Sequence, residues 1–219
     1  MRIAFILKTV CLCLLFSSVG IAKEPINLAL HKEALKHYHD KQYSSDISAA
    51  IAQARDYLKQ HLDTHAHLGK KPAIILDIDE TSLSNYQDLV KNDFGGTLEE
   101  IRAMEDKGED PVILPTLMLY QFAQRHQVAI FFITGRFEKE RDVTALNLKK
   151  AGYTHWDGLI LRSGEFETKL ALEYKTAMRK KITEEGYHIV LNVGDQESDL
   201  QGGFADKTIK LPNPYYYIR

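Results

Sequence analysis

Short apolar segments alternate with longer helical patterns through the last two thirds of the chain. The apolar segments, each of strand length, span residues 73–76, 128–133, 159–161 and 188–193. Helical patterns fill residues 117–125, 139–150 and 172–185. Strands that alternate with helices in this way are typical of a parallel sheet covered by helices. The pattern therefore predicts a doubly wound α/β fold.

The chain before residue 71 has a different pattern. Apolar residues recur there at steps of three and four, which predicts helices. They follow the capping candidates Ser44 and Ser45 and are Ile47, Ala50, Ile51, Ala54, Leu58 and Leu62. We expect residues 23–70 to form antiparallel helices packed against a main body of residues 71–219.

A long connection separates the first two predicted strands. It runs from residue 83 to about residue 114 and contains Gly95, Gly96 and Gly108. Connections of this length in compact domains are commonly functional. We expect this segment, called the cap insertion below, to form a small cap over the site.

The first 22 residues combine the features of a secretory signal. Arg2 and Lys8 flank an apolar run at residues 10–16, and small residues follow as far as Ala22. The apolar run is too short to span a bilayer comfortably, which favours a cleaved signal peptide at residues 1–22 over a retained anchor. We expect an exported protein, periplasmic or secreted, with no stable membrane anchor after cleavage.

The cysteines and the charge narrow the possible chemistry. Cys11 and Cys13 both lie in the predicted signal, so the mature chain would have no thiol for a disulfide, a nucleophile or a metal site. The formal net charge is −2, the charges are well mixed, and the sequence has no basic stripe. A nucleic-acid polymer is therefore not an expected partner. The oligomeric state stays open.

Polar clusters follow three of the predicted strands. They are residues 77–81 after the first strand, 134–136 after the second and 194–199 after the last. In an open parallel sheet, ligands bind beyond the carboxyl ends of the strands. The three clusters are therefore expected to meet at one edge of the sheet.

Four aspartates in these clusters suggest a metal site. Asp77 and Asp79 are two residues apart, so in extended geometry their side chains project to the same side, and Asp195 and Asp199 add further oxygen ligands. Carboxylates held together beside a buried strand repel one another unless a cation lies between them. Oxygen ligands without histidine or thiol suit Mg²⁺ better than Zn²⁺. The alternative is that these aspartates cap helices or bond to loop backbones.

The motifs resemble those of the haloacid dehalogenase superfamily of phosphohydrolases. The sequences Asp77-Ile78-Asp79-Glu80-Thr81 and Ile133-Thr134-Gly135-Arg136, then Lys175, then Gly194-Asp195 with Asp199, match its four motifs in order. The stretches DETSLSNY, GYHIVLNVGDQESDL and KLPNPYYYI are similar to one branch, subfamily IIIB, which contains bacterial class C acid phosphatases and plant vegetative storage proteins. The resemblance covers residues 71–219 and implies a Rossmann-like doubly wound sheet.

The resemblance also implies a mechanism for hydrolysis of phosphomonoesters. Asp77 would attack phosphorus to form an aspartyl-phosphate, and Asp79 would protonate the leaving oxygen and then activate water. Mg²⁺ would be bound by the Asp77 carboxylate, the backbone carbonyl of Asp79 and Asp195, with Asp199 bound directly or through an intervening group. An acidic pH optimum fits this scheme.

Three further residues would hold the phosphoryl oxygens in the family pattern. They are Thr134, the backbone amide of Gly135, and Lys175. Without the resemblance, Lys175 would be assigned to a solvated helix face, because its helix also carries Arg179, Lys180 and Lys181. Arg136 is either a surface residue or a contact to phosphate or to the acidic cluster, and we leave it outside the core site.

Substrate choice is expected to depend on the cap insertion. Asn85, Tyr86 and Phe94 are candidates to contact the leaving group, and nucleoside 5′-monophosphates are the substrates that the resemblance implies. One alternative is a phosphotransferase that passes the phosphoryl group to an alcohol. Another is a non-catalytic storage or ligand-binding protein with the same fold. Some plant relatives that serve as storage proteins have an altered nucleophile position, whereas Asp77 is present here, which argues against the non-catalytic alternative.

The histidines and the tyrosines outside the motifs each have a structural and a functional interpretation. His61 and His65 are four residues apart, a spacing that permits a shared metal, but a solvated helix face is favoured over structural zinc. The residues Tyr215, Tyr216 and Tyr217 follow two prolines and are expected to pack the C-terminus onto the core rather than to form a stacking platform.

Overall fold

The computed structural model describes residues 27–65, 69–105 and 107–218. These residues contain a five-stranded, entirely parallel sheet in the order β3-β2-β1-β4-β5. The strands are β1 Lys71–Leu76, β2 Ala129–Phe137, β3 Gly158–Arg162, β4 Tyr187–Gly194 and β5 Lys207–Lys210. The order reverses next to the first strand, as in doubly wound sheets that bind ligands at that point. The predicted α/β fold is confirmed.

Helices cover both faces of the sheet. They are α1 Leu28–Tyr38, α2 Ser44–His65, α3 Tyr86–Lys91, α4 Leu98–Glu105, α5 Leu114–Arg125, α6 Arg141–Lys150, α7 Ala171–Glu184 and α8 Glu197–Leu200. Side chains alternate along β1, so that Ile74 and Leu76 join the larger apolar cluster, which includes Leu58 of α2, while Ile75 joins a smaller cluster with Tyr174 of α7. Burial on both faces explains the unbroken apolar run of β1.

The prediction of antiparallel helices before the sheet is wrong. A π-helical turn at His39–Tyr43 joins α1 directly to α2, and the residues on either side of it, Tyr38 and Ser44, keep right-handed helical dihedrals. The junction contains no glycine or proline that would end a helix. The segment is therefore one long helical run, which contacts α5, β4 and β5 through α2.

The fifth strand was not predicted from the sequence. In β5 the side chain of Ile209 is buried, whereas the other three residues are exposed. A four-residue edge strand with one buried side chain leaves almost no apolar pattern to detect. Its pairing with β4 nevertheless fixes the chain that leads to the C-terminal tyrosines.

The cap insertion contains α3 and α4. Its two ends are joined at the base, where the backbone N–H of Ser84 donates to the Pro111 carbonyl at 2.9 Å and the N–H of Ile113 donates to the Ser82 carbonyl at 3.0 Å. The insertion is therefore fixed next to the carboxyl end of β1.

The predicted signal peptide and its cleavage point lie outside the described residues. Within residues 27–65, 69–105 and 107–218, no helix has both the length and the apolar character needed to cross a membrane.

Candidate active site

Most of the predicted site residues meet at the carboxyl ends of β1, β2 and β4. Asp77 directly follows β1, and its backbone N–H donates to the Val193 carbonyl of β4 at 3.0 Å. Asp195 directly follows β4. The parallel register therefore places two of the four aspartates side by side before any helix contributes.

Asp77, Asp195 and Asp199 form a buried carboxylate cluster. One oxygen of each lies within 4.8 Å of the others. Burial raises the pKa of Asp77 well above its usual range, although Lys175 opposes this shift, and burial together with the charge of Asp199 raises the pKa of Asp195 to about 6. These carboxylates are thus costly to hold as three anions without additional positive charge.

Lys175 supplies part of that positive charge. It is buried, and its Nζ lies 2.6 Å from Asp77 Oδ1 and 2.6 Å from Asp199 Oδ1. Burial alone would lower the pKa of Lys175, but the two carboxylates raise it above its ordinary value. The structure thus separates Lys175 from Lys180 and Lys181 of the same helix, which are exposed.

The cluster fits a hard divalent cation. Three buried carboxylates face one lysine, and their ligand atoms are all oxygen. Asp195 is held in place by Thr81 Oγ1, which donates to Oδ1 at 3.2 Å, and by the side-chain amides of Gln196 and Asn213, which each donate to Oδ2 at 2.7 Å. A divalent metal would complete the charge balance of this group.

Asp79 is bound to Arg136 rather than to the carboxylate cluster. Arg136 donates from Nε to both oxygens of Asp79, at 3.1 and 3.3 Å, and from Nη2 to Oδ1 at 2.6 Å. The side-chain amide of Asn85 also donates to Oδ1, at 3.0 Å. Burial would raise the pKa of Asp79, but Arg136 and Asn85 hold it below its ordinary value. The side chain of Asp79 is thus held by Arg136 and Asn85.

Arg136, which was not expected to belong to the core site, lies within it. The residue is 3% exposed and pairs with Asp110 as well, from Nη2 to Oδ2 at 3.1 Å. Of its two predicted roles, bracing the acidic group is the one observed. Its position two residues after Thr134 was the available signal.

Arg179 was also missed. It lies one helical turn after Lys175 in α7 and is 1% exposed. Its guanidinium donates to the backbone carbonyls of Asp199, Gln201 and Gly203, which fixes the loop that carries Asp199.

The structure brings Gly135 to the cavity and buries Thr134. Thr134 is fully buried, and its Oγ1 accepts a hydrogen bond from the Arg136 N–H at 3.1 Å. Gly135 is exposed and lines the cavity above the carboxylates. The two predicted phosphate-binding residues are therefore adjacent to the site at different depths.

Asn85 and Tyr86 of the cap insertion have different environments. Asn85 lines the cavity, and its backbone N–H donates to Glu80 at 2.6 Å. Tyr86 instead stacks on His39, with ring centroids 3.3 Å apart, and is not among the residues that line the cavity. The structure therefore does not bring Tyr86 to the predicted substrate site, because the N-terminal helical run covers its ring.

The cavity above the site has a volume of about 540 Å³. Its lining includes Asp77, Asp79, Asp195, Asp199, Lys175, Arg136, Phe94, Arg102, Arg162 and the three C-terminal tyrosines. Tyr215 is buried, as expected of a packed tail, and the Tyr216 hydroxyl donates to Glu80. Tyr215 and Tyr216 thus pack onto the core as predicted, whereas Tyr217 is 71% exposed, and all three tyrosines also line the cavity.

Comparisons with known proteins agree with this geometry. The family model for the HAD superfamily, subfamily IIIB (acid phosphatase), matches residues 20–219. The stem 28 kDa glycoprotein of Glycine max is 39% identical over 196 residues, which cover 85% of this chain and 74% of the relative. Acid phosphatase 1 of Solanum lycopersicum is 37% identical over 184 residues, 80% of this chain and 69% of the relative.

A solved structure shares the fold. The class C acid phosphatase from Bacillus anthracis matches with a TM-score of 0.68 at 23% identity, over 87% of this chain and 86% of that one. A second structure of that enzyme has tungstate bound.

The fold, the carboxylate site and these relatives define an acid phosphatase, an enzyme that hydrolyses phosphomonoesters. The chain belongs to subfamily IIIB of the haloacid dehalogenase superfamily.

Proposed function

We propose that the protein is a Mg²⁺-dependent phosphomonoesterase that forms an aspartyl-phosphate on Asp77. The observation that carries the proposal is the contact of Lys175 Nζ with Asp77 Oδ1 at 2.6 Å, beside Asp195 and Asp199, in the wall of a cavity of about 540 Å³. A carboxylate attacks a phosphate dianion only when charge is neutralised, and this site concentrates the groups that neutralise it.

The chemistry has two steps. A carboxylate oxygen of Asp77 forms a bond to phosphorus while the ester P–O bond breaks, and Asp79 gives its proton to the leaving oxygen. Asp79 then takes a proton from water, the water oxygen bonds to phosphorus, and the bond between phosphorus and Asp77 breaks to release phosphate. Asp77, the carbonyl of Asp79, Asp195 and Asp199 would hold Mg²⁺, which supplies charge neutralisation for both steps.

Arg136 supports an acidic optimum. Asp79 must carry a proton when the ester leaves, and the guanidinium lowers its pKa. The protonated fraction of Asp79 is therefore largest in acid.

The phosphoryl oxygens would be bound at the end of β2 and by α7. The Gly135 amide lies at the exposed cavity wall, and Thr134 Oγ1 accepts from Arg136 while keeping its own hydrogen for donation. Lys175 adds a charged donor from α7.

Small phosphomonoesters, with nucleoside 5′-monophosphates as the leading class, fit the cavity. Its volume lies in the range of small-molecule sites, and aromatic side chains from Phe94, Tyr216 and Tyr217 line it beside Asn85. A base could stack on these rings while its phosphate contacts Lys175.

Export is part of the proposal. Residues 1–22 carry the features of a cleaved signal, and the Glycine max relatives are named glycoproteins. N-terminal sequencing of the protein recovered outside the cytoplasm should begin near Lys23.

The decisive experiment follows phosphate release and the covalent intermediate together. The wild type should release phosphate from an aryl phosphate with Mg²⁺ and lose activity with chelator. Asp79→Asn, given an aryl phosphate whose leaving group needs no proton, should accumulate a chain heavier by one phosphoryl group in acid-quenched intact-mass spectra. Asp77→Asn should show neither activity nor the mass increase. Turnover indifferent to chelator, or phosphorylation that survives Asp77→Asn, would refute the proposal.

A storage role is the second candidate, because Arabidopsis thaliana vegetative storage protein 2 is 32% identical over 182 residues, 81% of this chain and 67% of the relative. Unchanged activity in Asp77→Asn would favour that role. Product analysis with added glycerol separates hydrolysis from phosphotransfer, since a transferase would yield glycerol phosphate.

A further inference from the structure

Two histidines and an aspartate meet at the edge of the sheet opposite to the active site. His61 lies near the end of α2, four residues before its last residue. His188 is the second residue of β4, and Asp206 directly precedes β5. One ligand atom of each lies within 4.8 Å of the other two. His188 Nε2 is 2.6 Å from Asp206 Oδ2, and His61 Nδ1 is 3.8 Å from the same oxygen.

This cluster is separate from the phosphatase site. His188 stands at the amino end of β4, whereas Asp195 follows its carboxyl end. Seven residue-to-residue steps along the strand separate them, which corresponds to roughly 23 Å. A ligand here could not take part in the chemistry at Asp77.

The three side chains stand on elements that are already fixed. His188 is paired in register with Pro72 of β1, the backbone N–H of Asp206 donates to the Ile189 carbonyl at 3.0 Å, and α2 packs against both β4 and β5. The side chains of His61 and His188 are partly buried, with exposed fractions of 11% and 31%. The side chain of Asp206 is 37% exposed, so the cluster is open to solvent on that side.

We propose that His61, His188 and Asp206 bind one Zn²⁺ ion. Two imidazoles and a carboxylate are the ligand types that Zn²⁺ takes at about 2.0–2.2 Å, and three protein ligands leave a fourth position for water. His188 Nε2 and His61 Nδ1 lie 2.6 and 3.8 Å from Asp206 Oδ2. Ligand atoms of a tetrahedral site with such bonds are about 3.4 Å apart, so binding requires the contact between His188 and Asp206 to open and His61 to approach. In this arrangement the ion ties the N-terminal helical run to the β4–β5 edge.

The ligand set differs from the one in the active site. Asp77, Asp195 and Asp199 offer oxygen only, which suits Mg²⁺, whereas imidazole favours zinc and its neighbours in the first transition series. The carboxylate site should therefore prefer Mg²⁺, and the site with two histidines should prefer Zn²⁺. The four-residue spacing of His61 and His65 permits a shared metal, although a solvated helix face is the favoured prediction; the structure instead places His188, 127 positions after His61 in the chain, beside it.

Metal binding at this site can be measured apart from the active site. The double variant Asp77→Asn, Asp195→Asn removes two of the three active-site carboxylates and serves as the background. Co²⁺ replaces Zn²⁺ as a spectroscopic probe, because a tetrahedral site with imidazole ligands absorbs visible light strongly and an octahedral oxygen site absorbs weakly. The background variant should bind one Zn²⁺ per chain in equilibrium dialysis and show the strong Co²⁺ band.

Two substitutions and one control complete the test. Adding His188→Gln or His61→Gln to the background should weaken Zn²⁺ binding by more than about tenfold and abolish the Co²⁺ band. Zn²⁺ should also raise the melting temperature of the background variant and leave that of the His188→Gln form unchanged. His31→Gln, an exposed histidine of α1, should behave as the background does. No Zn²⁺ bound by the background variant, or equal binding after His188→Gln, would overturn the proposal.

Discussion

Arg136 and Asp79 form a bidentate ion pair, in which Nε and Nη2 of the arginine both contact the carboxylate. Arg136 is 3% exposed, so the pair is shielded from water on the arginine side. Charge-assisted contacts of this geometry stabilise the carboxylate form strongly. Arg136 thus lowers the pKa of the proposed general acid against the effect of its burial.

Replacing Arg136 should move the pH dependence of catalysis. In Arg136→Gln the pKa of Asp79 should rise, so that Asp79 stays protonated to higher pH. The pH at which kcat declines on the alkaline side of its pH profile should therefore increase by about one unit or more. The measurement is kcat against pH on an aryl phosphate at saturating Mg²⁺.

Arg136→Lys is the matched control. It keeps the positive charge, so it should shift the alkaline-side decline of kcat by less. Removing a buried charge partner also destabilises the fold, by about 3 kcal/mol or more, so each variant needs a melting curve. A lowered melting temperature with an unmoved alkaline-side decline would show that Arg136 acts on stability alone.

Lys175 should matter most when no metal is bound. In Lys175→Gln three buried carboxylates lose their neighbouring cation, so the melting temperature in chelator should fall, and Mg²⁺ should raise it by more than in the wild type. The activity should fall by about 10²–10³-fold, because a charged donor to the phosphoryl group is lost.

Lys180→Gln is the control on the same helix. Its Nζ lies 3.7 Å from Glu184 at the surface, and surface pairs of this kind contribute little. Equal effects of the two substitutions on the Mg²⁺-induced melting shift would contradict a specific role for Lys175.

The local residue patterns predicted four of the five strands that the structure describes, together with the acidic edge of the sheet. The run before Asp77 is buried on both faces, so it is apolar throughout and easily recognised, and strand-end aspartates converge because the sheet is parallel. The assignment of Lys175 to the site rests on a resemblance, since nothing in its own neighbourhood distinguishes it from Lys180.

Other features depend on partners that are distant in the sequence. The position of Arg136 after Thr134 indicates that it is near the site, but its pairing with Asp110 of the cap insertion, at 3.1 Å, is visible only in the structure. The ring of Tyr86 is removed from the cavity by His39 of the N-terminal helical run. Pairings of this kind leave no periodic trace in a single sequence.

Gly194 should be needed for the position of Asp199. A Cβ added at Gly194 would lie 2.4 Å from the Asp199 Cβ and 2.5 Å from its Oδ2. Gly194→Ala should therefore displace Asp199 and weaken Mg²⁺ binding by about tenfold or more, as changes around metal ligands commonly do. The measurement is Mg²⁺ titration of the melting temperature.

Gly95→Ala provides the comparison. A Cβ at Gly95 meets its nearest neighbour at 3.7 Å, an ordinary contact, and the backbone there needs no positive φ. Its Mg²⁺ titration should match that of the wild type. A Gly194→Ala protein with unchanged Mg²⁺ affinity would mean that Asp199 is dispensable for the metal.

Asp110 should make the protein less stable as the pH rises through weak acid. Burial raises its pKa to about 6, even though Arg136 opposes the shift. A carboxyl group whose pKa is higher in the folded state contributes stability that is full below its unfolded value, near 4, and is lost as the pH approaches 6.

The substitution Asp110→Asn removes this loss of stability. The hydrogen bonds between the backbone of residue 110 and Asn147 do not involve the altered carboxylate. In chelator, the free energy of unfolding of the variant relative to the wild type should rise by up to about 3 kcal/mol between pH 4 and pH 7. Urea unfolding at several pH values measures this difference, with the exposed Asp142→Asn as the control that should show none. A difference that stays constant with pH would mean that Asp110 is ionised throughout and that its pairing with Arg136 outweighs its burial.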